Sequence, residues 1–514
     1  MNAKKPPDVR VGAIIVHGIG EQKRFEFLEG ETRKIVNAII AKYGAKVRRH
    51  YVTPTLTTAS GDPFLGSHSS WASGPNAPLH TIVELQNGQK VDIAFHEVWW
   101  ADINETLTLG KQFRFWLWGL SLAGIATHNA PFLPGIVHTR QPNNAETLTW
   151  WHRLRVGYVS MLFGFSACSI AVINMFLKRL SFRPVLSTDV IVNYLSAVKL
   201  YSQDKRAGGG TMDGPDEPPR AAIRRRMVRT MLDVVRQNYD RWYILAHSQG
   251  TIVAWNGLME IKEALPNYLD RDTWNVLAGN PLRGVSQAPI DVNAMLPNRP
   301  VWVDNHGIID RDVFFEKFRG VLTYGSPLER FCALWSAMVP INKHEDPYRE
   351  GTEWVNVYDP TDPVGTWISD FDPLPDPPTR PGCTKLTPHN FPCRSSPILL
   401  LGHICYLTAS RLGALRLVKD DDHLLVNLVA DWLVHGESLS TRIASAPKGR
   451  TSFWMPRGET SADTHRRTLP RVIWRFVQWS IVGAVLTLIT LLFIHDIIWP
   501  LAERVVAWLK NWSI

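Results

Sequence analysis

Ser248 stands in the run Tyr243-Ile244-Leu245-Ala246-His247-Ser248-Gln249-Gly250-Thr251, an apolar strand-like stretch, then small-x-Ser-x-Gly, then a helical pattern. A serine on such a strand-to-helix turn projects its hydroxyl outward, and the helix N-terminus beneath it favours negative charge developing there. Small residues two before and two after the serine are needed because the turn brings strand and helix backbones close. Ala246 takes the first of these places instead of glycine, and Gly250 the second. The chemistry that suits this frame is attack by an activated hydroxyl; the bland reading of the same serine is a helix N-cap.

The second chemical signal is Ala13-Ile14-Ile15-Val16-His17-Gly18-Ile19-Gly20, an early buried-type strand ending in His-Gly with another glycine two on. A turn of this kind presents backbone N–H groups. Acyl transfer needs such donors aimed at the tetrahedral oxyanion, one from this loop and one from the residue after the nucleophile. Those donors would be the amide of Ile19, or of its neighbour Gly18, together with that of Gln249. His17 reads as structural rather than catalytic.

Together with Thr323–Leu328 (TYGSPL), Val357–Gly365 (VYDPTDPVG) and the late histidine of Gly402–Leu407 (GHICYL), these motifs resemble the α/β-hydrolase fold family, in particular its lipase-like serine hydrolases. They fall in the family's order of oxyanion loop, nucleophile, acid and histidine. The resemblance covers residues 10–100 and 220–435 and leaves out the intervening insertion and the C-terminal segment. It implies ester hydrolysis or acyl transfer through a covalent acyl-enzyme, with no metal or organic cofactor.

Within that frame the triad is Ser248, Asp362 and His403. Asp359 and Asp362 both follow the strand at Trp354–Tyr358. Asp362 is preferred because Asp362-Pro363-Val364-Gly365 looks like the family's acid loop, and Asp359 stays open as the alternative. His403 directly follows the apolar run Ile398–Leu401. His389 lies in a Pro-rich loop, His423 at an acidic helix start, and His344 precedes the acid. Ser326 ends a strand but lacks the small-x-Ser-x-Gly frame, so it reads as a turn residue.

The elements that must carry these residues follow from periodicity. Val11–Val16 reads as a buried strand, Arg24–Lys42 as a helix, and Thr81–Leu85 with Val91–Phe95 as a hairpin about Asn87-Gly88. From Ala221 the pattern alternates: helix Ile223–Tyr239, strand Trp242–Ala246, helix Gln249–Ala264, strands Gly320–Tyr324, Trp354–Tyr358 and Ile398–Leu401, and helix Asp422–Val434. Alternation of this kind predicts an α/β fold, a mostly parallel sheet flanked by helices. Pro373–Pro397 reads as a loop excursion.

Tryptophan is the compositional outlier: the 21 residues are hard to place in a core alone and suggest a membrane interface. Two stretches are long and apolar enough to span a bilayer, Val156–Leu177 and Phe476–Ile494, and Phe115–Val137 is a weaker third broken by Pro131 and Pro134. Residues 115–137 and 156–177 either form a transmembrane hairpin or both lie in the interface, since a lone span would separate the two halves of one catalytic domain. Pro500–Ile514 reads as an amphipathic tail. Basic residues beside the spans place the catalytic domain in the cytoplasm by the positive-inside rule, and no secretory signal is evident.

The resulting organisation is 1–105, the N-terminal part of the core with the oxyanion loop; 106–200, a hydrophobic helical insertion; and 201–220, a flexible linker. Residues 221–440 form the part with nucleophile, acid and histidine, 441–475 a basic linker, and 476–514 a transmembrane anchor and tail. The five scattered cysteines argue against a disulfide framework or a zinc cluster. The net charge of +9 is spread over many clusters with no recognition motif, which leaves nucleic-acid binding unsupported. The expected function is a membrane-associated serine hydrolase acting on carboxylic esters, lipids first, with the bilayer as its partner. The competing expectations are a catalytically silent membrane-tethered binding module and a lipase toxin delivered into another cell.

Overall fold

The centre of the molecule is β1 (Val9–Val16), whose residues 11–16 are all buried, as an apolar run covered on both faces must be. The computed structural model describes residues 8–18, 26–44, 46–51, 78–100, 103, 219–291, 298–329, 331, 347–359, 362, 364–368, 381–395, 403, 405–407, 423–448, 452–456 and 504. Seven further strands join β1 in one sheet: β2 (Lys46–Tyr51), β3 (Leu79–Glu84), β4 (Lys90–Val98), β5 (Arg241–His247), β6 (Phe318–Tyr324), β7 (Glu353–Tyr358) and β8 (Pro388–Pro392). Their order is β8-β7-β6-β5-β1-β4-β3-β2. From β8 to β4 all neighbours run parallel, and β3 and β2 close the far edge antiparallel. The fold class is α/β, with a mostly parallel eight-stranded sheet and helices on both faces.

Side-chain alternation on β1 divides the core in two. Ile14 and Val16 face a layer with helices α2 (Pro219–Arg236) and α3 (Gly250–Leu258). Val11, Ala13 and Ile15 face the opposite layer, with α1 (Glu26–Tyr43) and α4 (Leu425–His435). The buried Asp431 carboxylate of α4 ties this second layer together. It accepts from Lys42 Nζ at 2.6 Å, from Arg442 Nη2 at 2.6 Å and from Tyr43 Oη. Burial would raise its pKa, but the hydrogen bonds from Lys42, Tyr43 and Arg442 outweigh that and hold it below the usual range. Arg442 belongs to α5 (Leu439–Ser445).

Several expectations are corrected. The helix read as Gln249–Ala264 ends at Leu258: its last turn tightens, Glu260 N–H donating to the Gly257 carbonyl, and Arg224 and Tyr268 then hold the Glu260 carboxylate at 3.0 and 2.6 Å. The stretch read as a Pro-rich excursion contains β8, with prolines at both ends. Proline is tolerated there because an edge strand leaves one row of backbone positions outside the ladder. The stretch read as a basic linker begins with part of α5 and continues to Phe453 and Trp454, both buried in the second layer. The expected strand Ile398–Leu401 and the apolar segments 115–137, 156–177 and 476–494 lie outside the described residues. Among the described residues, no helix is long and apolar enough to cross a membrane.

Candidate active site

Because β1, β5, β6, β7 and β8 are parallel, their C-terminal ends share one rim of the sheet, where sites of open α/β folds form. The chain leaves that rim at His17-Gly18, Ser248, Gly325-Ser326, Asp359 and Cys393. Ser248 follows β5 directly and sits at φ +54°, one of two non-glycine residues with positive φ among those described. A left-handed serine costs on the order of 1–2 kcal/mol, so the surrounding packing must hold it there. It does so through hydrogen bonds. Ser248 N–H donates to the Tyr324 carbonyl at 3.1 Å, and the Thr251 hydroxyl donates to the Ser248 carbonyl at 2.8 Å. Ser326, buried, then donates to Thr251 Oγ1 at 2.8 Å while accepting from Leu328 N–H at 3.2 Å. Ser326 is thus a brace for the turn.

The small residues are now explained by contact. A Cβ on Gly250 would lie 2.5 Å from the carbonyl oxygens of Val16 and His17, so only glycine lets α3 start against β1. Gly18 is as tightly constrained, with Ser248 itself as the neighbour.

The imidazole of His403 lies beside this serine. Its Nε2 is 2.8 Å from Ser248 Oγ, and its Nδ1 is 2.9 Å from Asp362 Oδ2. Nδ1–H therefore donates to the carboxylate, which leaves the Nε2 lone pair free to accept the serine proton. The carboxylate is itself fixed on both oxygens: Oδ2 also accepts from Tyr406 Oη at 2.8 Å, and Oδ1 accepts from Val364 N–H at 2.8 Å. Burial alone would raise the pKa of Asp362. The opposing charge and hydrogen bond of His403, with the Val364 and Tyr406 donors, overturn that and bring it down to about 2. The glycines of the two acid-side motifs make room for this pair. A Cβ on Gly365 would meet Asp362 Oδ2 at 2.6 Å, and one on Gly325 would meet His403 Nδ1 at 3.1 Å.

Asp359, the alternative acid, has another task. Its Oδ2 accepts from Ser395 N–H at 2.8 Å and Ser395 Oγ at 2.9 Å, so it fastens the chain after β8 to the end of β7. Its own N–H donates to Tyr406 Oη at 2.9 Å. His389 is exposed on β8, paired in register with Val355, and the His423 carbonyl accepts from Trp454 Nε1. His344 lies outside the described residues.

His17 is buried and structural. Trp100 N–H donates to its Nε2 at 3.1 Å, so the proton is on Nδ1, which lies 2.8 Å from the Gly18 carbonyl; the ring stacks on Trp100 at 5.0 Å. Of the expected oxyanion donors, Gly18 packs against the serine and Gln249 is the N-cap residue of α3, while Ile19 lies outside the described residues. Sequence reading missed Tyr406, Thr251, Ser395 and His247. Tyr406 could have been flagged from its place three residues beyond His403 in the same motif; a hydroxyl brace such as Thr251 leaves no comparable sequence signal. Compared with known protein families, curated proteins and solved structures, the chain matches none.

Proposed function

We propose that this chain is a serine hydrolase of the α/β-hydrolase type that cleaves carboxylic esters through an acyl-enzyme. The observation that carries the reading is the unbroken line Ser248 Oγ, His403 Nε2, His403 Nδ1, Asp362 Oδ2, with successive contacts of 2.8 and 2.9 Å. Its supports are the left-handed serine between β5 and α3 and the chain order of oxyanion loop, nucleophile, acid and histidine.

Ser248 Oγ attacks the ester carbonyl carbon as its proton passes to His403 Nε2. The Asp362 carboxylate stabilises the imidazolium that forms, without taking the proton. The carbonyl π-electrons move onto oxygen, where the backbone N–H of Gln249 and one from the Gly18-Ile19 turn receive the oxyanion. The intermediate collapses with loss of the alkoxide, which takes the proton from Nε2 and leaves as the alcohol. Water, deprotonated by the same nitrogen, then attacks the acyl carbon. Collapse of the second intermediate returns the proton to Ser248 and frees the acid.

The lipid preference and the membrane anchorage belong to the same proposal and rest on the apolar segments 115–137, 156–177 and 476–494 with their tryptophan and arginine flanks. A catalytic domain held at the bilayer draws long-chain esters from it directly. Fluorophosphonate labelling tests the chemistry: wild type is labelled and Ser248→Ala is not. If wild type stays unlabelled both in detergent and in lipid vesicles, the reading is wrong.

A further inference from the structure

The turn that carries Ser248 meets His403 at a second point that takes no part in proton transfer. His247 is the last residue of β5 and the immediate neighbour of the nucleophile. Its Nε2 lies 2.7 Å from the main-chain carbonyl of His403, 156 residues away. A carbonyl only accepts, so Nε2–H is the donor. The ring has little freedom to turn away. It stacks on Tyr324 at 4.9 Å and on Phe27 at 6.3 Å, lies tilted against the His403 ring at 4.8 Å, and meets Tyr406 edge-on at 6.5 Å. Burial, and after it the adjacent His403 ring, pushes its pKa down to about 3, so the ring stays neutral and Nε2–H is its one donor.

We infer that His247 is a positioning residue that clamps the backbone of the general base to the nucleophile turn, and that this clamp matters most when Ser248 is acylated. The Ser248 Oγ–His403 Nε2 hydrogen bond locates the imidazole in the free enzyme, and it disappears once Oγ carries the acyl group. The His247–His403 carbonyl bond involves neither reacting atom and survives that step. During deacylation it fixes the His403 backbone against β5 while the Asp362 carboxylate sets the ring's orientation, and together they hold Nε2 ready to take the proton of water. Loss of the clamp therefore slows deacylation more than acylation. The kinetic part of this inference rests on the serine-hydrolase reading; the positional part does not.

The test compares His247→Phe, which keeps a flat ring and removes the donor, with His247→Gln, whose amide nitrogen reaches to about the same point as imidazole Nε2. With a 4-nitrophenyl ester, His247→Phe lowers kcat by about 10–100-fold, the scale of a small misplacement of a catalytic group. KM falls in step, and the acyl adduct on Ser248 accumulates by intact-protein mass spectrometry, as slowed deacylation requires. His247→Gln returns kcat to within about 3-fold of wild type. Equal losses of kcat and kcat/KM in both variants, or no loss in His247→Phe, overturn the clamp. A second readout is independent of turnover. The downfield proton resonance of His403 Nδ1–H, assigned by its absence in His403→Ala, is retained in His247→Gln and lost in His247→Phe. If wild type neither reacts with fluorophosphonate nor turns over ester, the hydrolase reading fails and this resonance alone decides the clamp: unchanged in His247→Phe, it sinks the inference.

Discussion

Gly18 packs so closely on Ser248 that a Cβ built on it would sit 2.5 Å from the serine Cβ and 3.2 Å from its Oγ. Neither side can yield: Gly18 follows the central strand, and Ser248 is pinned at φ +54° by its bonds to Tyr324 and Thr251. The chain end after β1, where the proposed oxyanion donors lie, and the Ser248 turn are therefore one packed unit.

Gly18→Ala should push the serine away from His403 and distort the donors together. The expected outcome is a loss of at least about 100-fold in kcat/KM, since displacement of a reacting group by about 1 Å has that scale. The far-ultraviolet circular dichroism should be retained, because the contact lies at the rim of the sheet. Steady-state kinetics beside the spectrum checks both; full activity in Gly18→Ala would mean that the turn is not part of the site.

The two aspartates after β7 should separate cleanly. Asp362→Asn removes the carboxylate that orients His403 Nδ1–H and stabilises the imidazolium, and should reduce kcat by on the order of 10³–10⁴-fold. Asp359→Asn instead weakens the fastening of the chain after β8 through Ser395. It should lower the melting temperature while costing kcat less than about 10-fold, because its carboxylate holds Ser395 while that of Asp362 holds His403 Nδ1–H. Measuring kcat and Tm for both variants decides the assignment that the sequence leaves open.

The sequence carries the buried parallel strands β1, β5, β6 and β7 and the Ser248 motif clearly because both depend on local rules. Val11–Val16 is apolar without interruption, and Ala246 and Gly250 flank Ser248 at the spacing a strand-to-helix turn needs. It carries the acid less well because Asp359 and Asp362 lie on one short loop after β7, and their separate tasks are set by Ser395, Tyr406 and His403, which are distant in the chain. β8 escapes notice for another reason: its prolines argue against a strand unless its edge position is known, and edge position is a property of the whole sheet. His247 is invisible for a similar reason, since its partner is a main-chain carbonyl 156 residues away and no side-chain pattern marks it.

The pH dependence follows from the two depressed pKa values. Asp362 ionises at about 2 and His247 gains its proton only near 3, so above about pH 4 neither changes state. Neither group should therefore add an ionisation of its own to the kcat/KM profile above pH 4. Stability behaves differently. The folded pKa of Asp362 lies below its ordinary value of 3.8, so its contribution is fully present above that value and is lost as pH falls through about 2. For a fully buried carboxylate that contribution is on the order of 2 kcal/mol. The acid arm of the denaturation midpoint should therefore be shallower in Asp362→Asn than in wild type between pH 4 and 2, while the two curves run parallel above pH 5. An acid arm in Asp362→Asn as steep as that of wild type would show that the buried carboxylate is not held ionised by the imidazole beside it.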